Sequence, residues 1–308
     1  MKVLVAGATG AVGRTLVPQL VERGHEVVGT TRSRDKFELL HWLGADAALM
    51  DGLDPVEVQD VVASIKPDAI VHEMTALSAN FDLKHFDRTF ATTNRLRTEG
   101  TRHLLAAATA CGVERIVAQS YIGGWNTKGP TEDDALVDEP APSQRQTLAA
   151  IKELESLVHD RGAVLRYGNF YGPGASEEFV ELVRKRAIPV IGDGAGVWSW
   201  IHVDDAASAT IAALERGARG IFHIVDDEPA PVAEWLPALA EAVGAKPPRR
   251  IPVWIARRVA GEAVTRMMTE GPGASNAKAK RELGWEPQWS SWRDGFVHAL
   301  TAEEAIAA

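Results

Sequence analysis

The 308-residue chain has a single cysteine, Cys111, so neither an intrachain disulfide nor a cysteine zinc cluster is available to it. Cys111 reads as a small core thiol, and such sparing cysteine usage fits a reducing compartment, so the expected location is the cytoplasm. Positive charge is also in deficit, with 33 Lys and Arg against 42 Asp and Glu and a formal net charge of -9. A chain of that sign is repelled by duplexes and by anionic bilayers, so neither nucleic acid nor a membrane is an expected partner. No run approaches the ~18 apolar residues of a membrane span. The opening Met1-Lys2-Val3-Leu4-Val5-Ala6 is interrupted by glycine too soon for a secretory signal. Internal repeats and low-complexity tracts are missing, and tyrosine occurs only at Tyr121, Tyr167 and Tyr171.

What is present is an ordinary globular composition, long enough at about 150 residues per domain for two domains or one large α/β unit with an appendage. Short β-branched runs alternate with helical patterns, the signature of parallel strands joined by helical crossovers. Strands are expected at Lys2 to Ala6, Glu26 to Thr30, Ala47 to Met50, Ala69 to His72, Arg115 to Gln119, Val164 to Tyr167 and Gly220 to Val225. The first helix carries Val12, Leu16 and Leu20 at spacing four with Val17 and Val21 beside them, and Gly24 stops it. Another helix is expected from about Asn94 through Ala108, ended by Gly112, and a third from Asp204 to Arg216.

After Tyr171-Gly172-Pro173-Gly174 the chain turns to loops, helices, tryptophan and repeated proline. The fold class expected is therefore α/β: a doubly wound parallel sheet (Rossmann fold) with a smaller, interleaved C-terminal substrate lobe. Residues 1–170 form the dinucleotide-binding domain, completed by about 203–226, and 171–202 with 227–308 form the substrate-side lobe.

The strongest local signal is Gly7-Ala8-Thr9-Gly10-Ala11-Val12-Gly13, set between the first strand and the first helix. Gly7 suits the tight turn, Gly10 lets a pyrophosphate approach the backbone, and Gly13 permits close packing of helix on strand. The helix N-terminus, with Thr9, Ala11 and Val12 around it, then faces the phosphates. At the end of the second strand an NAD site would present a carboxylate to the ribose 2′-hydroxyl. The chain instead offers Thr30-Thr31-Arg32-Ser33-Arg34. Arg32 can grip a 2′-phosphate with paired hydrogen bonds, so the expected cofactor is NADP, with NAD as the alternative. Asp51, beside Gly52, stands where it can accept from the adenine amino group, although a turn-forming aspartate looks the same.

The glycine turn, Arg166-Tyr-Gly-Asn-Phe-Tyr-Gly-Pro173, Trp200-Ile-His-Val-Asp-Asp205 and Ser275 to Trp285 together resemble the extended short-chain dehydrogenase/reductase superfamily, in its epimerase/dehydratase-like branch. The resemblance covers nearly the whole chain. It implies that Tyr167, Asn169 and Phe170 line the nicotinamide, and that the segment from Gln119 to Tyr121 meets the substrate carbonyl. Members usually carry a Tyr-x-x-x-Lys pair on the helix after the fifth strand. Here Ser143 stands for the tyrosine and Thr147 for the lysine, and no tyrosine of the chain is followed four residues later by lysine. The nucleotide-sugar enzymes also often place an arginine near the position of Trp198, and indole cannot neutralise a diphosphate.

Hydride chemistry belongs to the nicotinamide, and the protein must orient the acceptor and supply a proton or an oxyanion donor. Tyr121, with Ser120 beside it, is the first candidate; Thr147 offers a hydroxyl without charge. A phenol lacking an adjacent lysine suits donation to a developing alkoxide, which favours reduction. Asp204 reads as a helix N-cap, and no metal is expected. Trp125, Trp198 and Trp200 fall on segments near the crevice, as a substrate wall or as packing, while Trp285, Trp289 and Trp292 dock the tail. The amphipathic stretch Pro252 to Met268 reads as a lid or as the contact of a homodimer. The leading reading is an NADP(H)-dependent oxidoreductase reducing a carbonyl or related group on a small, partly apolar substrate. The rivals are an epimerase or dehydratase with tightly held NAD(P), and a catalytically silent NADP(H)-binding redox sensor.

Overall fold

The computed structural model describes residues 1–76 and 82–298; the end of the expected substrate lobe, 299–308, lies outside them. Seven strands form one parallel sheet: β1 (Lys2–Ala6), β2 (Glu26–Thr31), β3 (Asp46–Leu49), β4 (Ala69–His72), β5 (Arg115–Tyr121), β6 (Ala163–Tyr167) and a seventh strand, Gly220–Ile224. Their spatial order is seventh, β6, β5, β4, β1, β2, β3, with every pair parallel. This is the doubly wound Rossmann arrangement. The order reverses between β1 and β4, and ligands of such sheets sit beyond the strand ends at that reversal.

The period of two in the strands explains the two layers of helix. Along β1, Val3 and Val5 join the core containing Val12, Leu16 and Leu20, whereas Leu4 and Ala6 join the core containing Val58, Val62, Leu104 and Leu105. On the first face, helix Ala11–Glu22 lies against helix Val203–Arg216, whose Ala206, Ala209 and Ala213 are small enough for close approach. On the other face lie Pro55–Ile65, Thr101–Cys111 and Arg145–Val158.

Three local features depart from the sequence expectation. β5 runs two residues further, so Ser120 and Tyr121 belong to the strand and pair in register with Arg166 and Tyr167. The helix expected through Asn94 is broken into Ala91–Arg95, a π-helical turn at Leu96–Gly100, and Thr101–Cys111. The cap of helix Val203–Arg216 is His202, whose Nδ1 accepts from the Asp204 N–H at 3.1 Å, and not Asp204. Asp205 instead accepts the backbone N–H groups of Gln288 and Trp289, tying the tail to the sheet domain.

After Tyr167 the chain leaves the sheet and builds a second hydrophobic core, then returns for Val203–Arg216 and Gly220–Ile224. That core centres on Trp198, Trp200, Trp235 and Phe179, with Trp198 and Trp235 rings 4.8 Å apart, and Trp292 and Phe296 close it from the tail. Pro252 to Met268 forms two helices, Val253–Val259 and Gly261–Thr269. Among the described residues no helix is long and apolar enough to cross a membrane.

Candidate active site

The loop after β1 is shaped by contacts that only glycine tolerates. Gly7 has φ +97°, and a Cβ there would lie 2.6 Å from the Glu73 carbonyl group; a Cβ on Gly13 would lie 2.5 Å from the Gly7 oxygen. Gly10 caps helix Ala11–Glu22 from an extended conformation with no side-chain hydrogen bond, and the first turn holds no acidic residue. The first N–H groups of the helix are thus left to a ligand, and the helix dipole sets their sign for an anion. Thr9 helps close the loop, its carbonyl accepting from Arg14 Nε at 3.0 Å. A pyrophosphate fits such a cradle.

Arg32 follows β2 directly, is exposed, and makes no hydrogen bond or ion pair among the described residues. Asp51 lies past β3, where one carboxylate oxygen accepts the Leu53 N–H at 3.0 Å and shapes the turn. Gly52 is buried because Met74 comes so close that a Cβ would meet its sulfur at 2.5 Å.

Beneath the loop lies a polar group with no apolar explanation. Glu73, just past β4, is buried; its Oε1 accepts from the Tyr167 hydroxyl at 2.9 Å, and its Oε2 has no partner. Burial pushes the Glu73 carboxyl up to about 8, so at neutral pH it is largely protonated. Tyr167, itself fully buried, also pairs with Thr210 at 2.6 Å, so its hydroxyl is committed within the core.

The ends of β5 and β6 form the other half of the site. Gln119 is partly exposed, and Asn169 and Phe170, also partly exposed, lie on the short strand Asn169–Tyr171. The Tyr121 hydroxyl donates to Asn169 Oδ1 at 3.1 Å, and burial pushes its phenol up to about 12. The Ser120 hydroxyl donates to Glu155 Oε1 at 2.8 Å, and the same carboxylate receives a bidentate pair from Arg166. Thr147 is likewise committed, donating from Oγ1 to Asp87 at 2.8 Å and accepting from Asn94 Nδ2 at 2.9 Å. Tyr121 and Asn169 thus meet, while the hydroxyls of Ser120 and Thr147 point into structural networks.

Sequence reasoning missed Asp87, Asn94 and Arg97. Arg97 is buried on the π-helical turn, with Nη1 3.5 Å from Asn94 Oδ1. A cavity of about 450 Å³ is lined in part by Trp125, Gln144, Lys128, Glu139, Arg266 and Glu270. Trp125 packs on Phe86 at 5.3 Å and Tyr121 at 6.5 Å, whereas Trp198 and Trp200 are occupied in the second core. Trp285 and Trp292 are buried against the body, their indole N–H groups bonded to Ser208 and to the Glu228 carbonyl.

A glycine loop suited to an anion at the reversal of a parallel sheet, with a phenol at the end of β5, is the arrangement of a dinucleotide-dependent enzyme of the short-chain dehydrogenase/reductase type. The chain belongs to the NAD dependent epimerase/dehydratase family, whose model matches residues 3–224, and it is an NAD(P)-dependent oxidoreductase. It is 43% identical to a 3-diazoavenalumate denitrifying reductase of a Streptomyces species, over 96% of this chain and 99% of the relative. It is 28% identical to a 2-alkyl-3-oxoalkanoate reductase of Stenotrophomonas maltophilia, over 94% and 96%. In fold it resembles a UDP-glucose 4-epimerase of Thermotoga maritima, solved with UDP-glucose, at a TM-score of 0.77, 23% identity and 100% coverage of both chains. A human epimerase family protein, SDR39U1, solved with NADPH, gives a TM-score of 0.74 at 21% identity, over 98% of this chain and 99% of that one.

Proposed function

We propose that the chain is an NADP(H)-dependent reductase acting on a carbonyl or related electrophilic group of a small, partly apolar substrate. The observation that carries this reading is a complete phosphate cradle facing a crevice whose phenol, Tyr121, has no lysine partner. The bound dinucleotide supplies the hydride. Gly7, Thr9, Gly10, Ala11, Val12 and Gly13 hold its pyrophosphate, and Asp51 and Gly52 border its adenine. Arg32 binds the 2′-phosphate, for which a guanidinium fork is suited. Gln119, Asn169 and Phe170 face the nicotinamide, with Tyr167 supporting them from below.

Tyr121, with its phenol at about 12, stays protonated through the neutral range and donates to a developing alkoxide; it is a poor base. Ser120 and Thr147 serve by fixing Glu155 and Asn94. Trp125, with Phe86 behind it, gives the cavity an apolar wall suited to a ring or a short chain.

The 43%-identical relative favours a second reading of the acceptor, a diazo group. There the hydride forms a C–H bond at the diazonium carbon while the C–N bond breaks, and N₂ leaves with that electron pair. For a diazonium cation no proton is needed, which suits a crevice without a Tyr-x-x-x-Lys pair, whereas a neutral diazo carbon also takes up one proton.

One assay separates the readings: NADPH absorbance loss with aldehydes, ketones, activated alkenes and diazo compounds, for wild type and Tyr121→Phe. For a carbonyl reductase, the variant loses at least tenfold in turnover at unchanged NADPH affinity. For a diazo reductase, N₂ is released one for one with NADPH oxidised, and the substitution has little effect. Substrate conversion without net NADPH oxidation would instead support an epimerase or dehydratase. NADPH binding with no turnover of any compound would support a redox sensor.

A further inference from the structure

Arg97 is the one buried cation that the site description leaves without a task. Glu155, the carboxylate whose charge reaches it, and Asp87, which binds the same Thr147 as its neighbour Asn94, are both committed elsewhere. Glu155 forms the bidentate pair with Arg166, and Asp87 accepts the N–H groups of Gln146 and Thr147 and the Thr147 hydroxyl. Among the described residues the guanidinium forms only the long contact to Asn94 Oδ1. Burying a cation without a paired carboxylate is expensive, and burial lowers the Arg97 guanidinium to about 10 against the opposing pull of Tyr121 and Glu155.

The residue is nevertheless held in place from two sides. The Met74 N–H donates to His72 Nδ1 at 3.2 Å, which assigns the ring proton to Nε2. That proton goes to Thr101 Oγ1 at 3.1 Å, and the Thr101 hydroxyl donates to the Arg97 carbonyl at 2.6 Å. On the other side, Asn94 is oriented by the hydrogen bond that its Nδ2 donates to Thr147 Oγ1. The turn carrying Arg97 is π-helical, a form concentrated at functional sites. Through Thr101 the turn is tied to His72 at the end of β4, on the ligand-binding edge of the sheet, and the charge of Arg97 is felt by Tyr121 at the end of β5.

We propose that Arg97 is the cation of the reactive crevice: it takes over from the side chain absent at Thr147 and holds the nicotinamide-side ribose hydroxyls of the bound dinucleotide. The assignment rests on the NADP(H) reading above. Thr147 keeps a part in this arrangement as the residue that orients Asn94, and through it Arg97, so the positive charge has moved from one helix to its neighbour.

The test compares two ligands by calorimetry on wild type, Arg97→Gln and Arg97→Lys. NADPH carries the second ribose, and adenosine 2′,5′-bisphosphate lacks it. Arg97→Gln is expected to weaken NADPH at least tenfold, about 1.4 kcal/mol, while the bisphosphate stays within twofold, and Arg97→Lys recovers part of the loss. Unchanged NADPH affinity in Arg97→Gln, or equal losses for both ligands, would overturn the assignment. Should Arg97→Gln fail to fold, Arg97→Lys decides: the same selective but smaller loss is expected, and equal losses for the two ligands count against it. Wild type that binds the bisphosphate but not NADPH overturns it as well. Wild type that binds NADPH and reduces nothing removes the reductase reading and leaves Arg97 to be judged on binding alone.

Discussion

The cradle around Gly7 and the crevice around Tyr121 lie on the same sheet edge but are built on opposite principles. The cradle is backbone: three glycines, one helix end and no committed side-chain charge, so its chemistry follows from local sequence alone. The crevice is made of side chains from β5, β6 and three helices, and most of its polar atoms are spent on one another. A backbone site tolerates little change, because two of its three glycines, Gly7 and Gly13, are required by contacts under 3 Å. A side-chain site can be rewired, and here a threonine at the expected lysine position coexists with an arginine on the neighbouring helix.

The largest effect should follow from attacking the cradle itself. Gly7→Ala places a Cβ against the Glu73 backbone at a positive φ, a combination costing about 3 kcal/mol or more. NADPH affinity should fall at least 100-fold by calorimetry, with a clear drop in melting temperature. A variant that binds normally would break the contrast between the two halves.

On the crevice side, Glu155→Gln leaves Arg166 buried without its carboxylate, and urea unfolding should show a loss of about 3 kcal/mol. A loss under half a kcal/mol would mean that the Ser120 network is not what holds the β5 end.

Glu73 sharpens the comparison because it lies where the two halves meet. Its folded carboxyl, at about 8, is raised above the ordinary value of 4.5. Folding is therefore favoured most below pH 4.5, and that advantage is lost as pH climbs to about 8. Glu73→Gln should match wild type near pH 4.5 and exceed it at pH 8.5, by on the order of 4 kcal/mol if the whole shift is expressed. Urea midpoints at the two pH values check the sign, and an equal difference at both would contradict it.

The smallest of these effects belongs to the rim. Arg32→Ala should lower NADPH affinity about tenfold and leave NADH unchanged, read by fluorescence titration. Equal weakening of both would show that Arg32 does not recognise a 2′-phosphate.

The cradle was legible because strand, glycine spacing and helix follow one another within Lys2 to Glu22, and each step has a local cause. The sheet was legible for the same reason, down to strand ends differing by a residue or two. The crevice was not. Whether Ser120 faces substrate or Glu155 depends on a partner 35 positions away, and Tyr167 meets Glu73 across 94. Arg97 carries no signal in the sequence, since neither its burial nor the π-helical turn has a signature in the spacing of Asn94 to Ala108. His202 was unreadable as a cap because imidazole rarely serves as one, and the aspartates beside it are better candidates by type.

The central claim is that the crevice performs net reduction without a Tyr-x-x-x-Lys pair. It is tested most directly by turnover with NADPH deuterated at the transferable position, using whichever carbonyl or diazo compound the assay identifies. The account predicts one deuterium at the reduced carbon and one NADP⁺ accumulated per product molecule. An unlabelled product, or a cofactor returned reduced after each cycle, would contradict it.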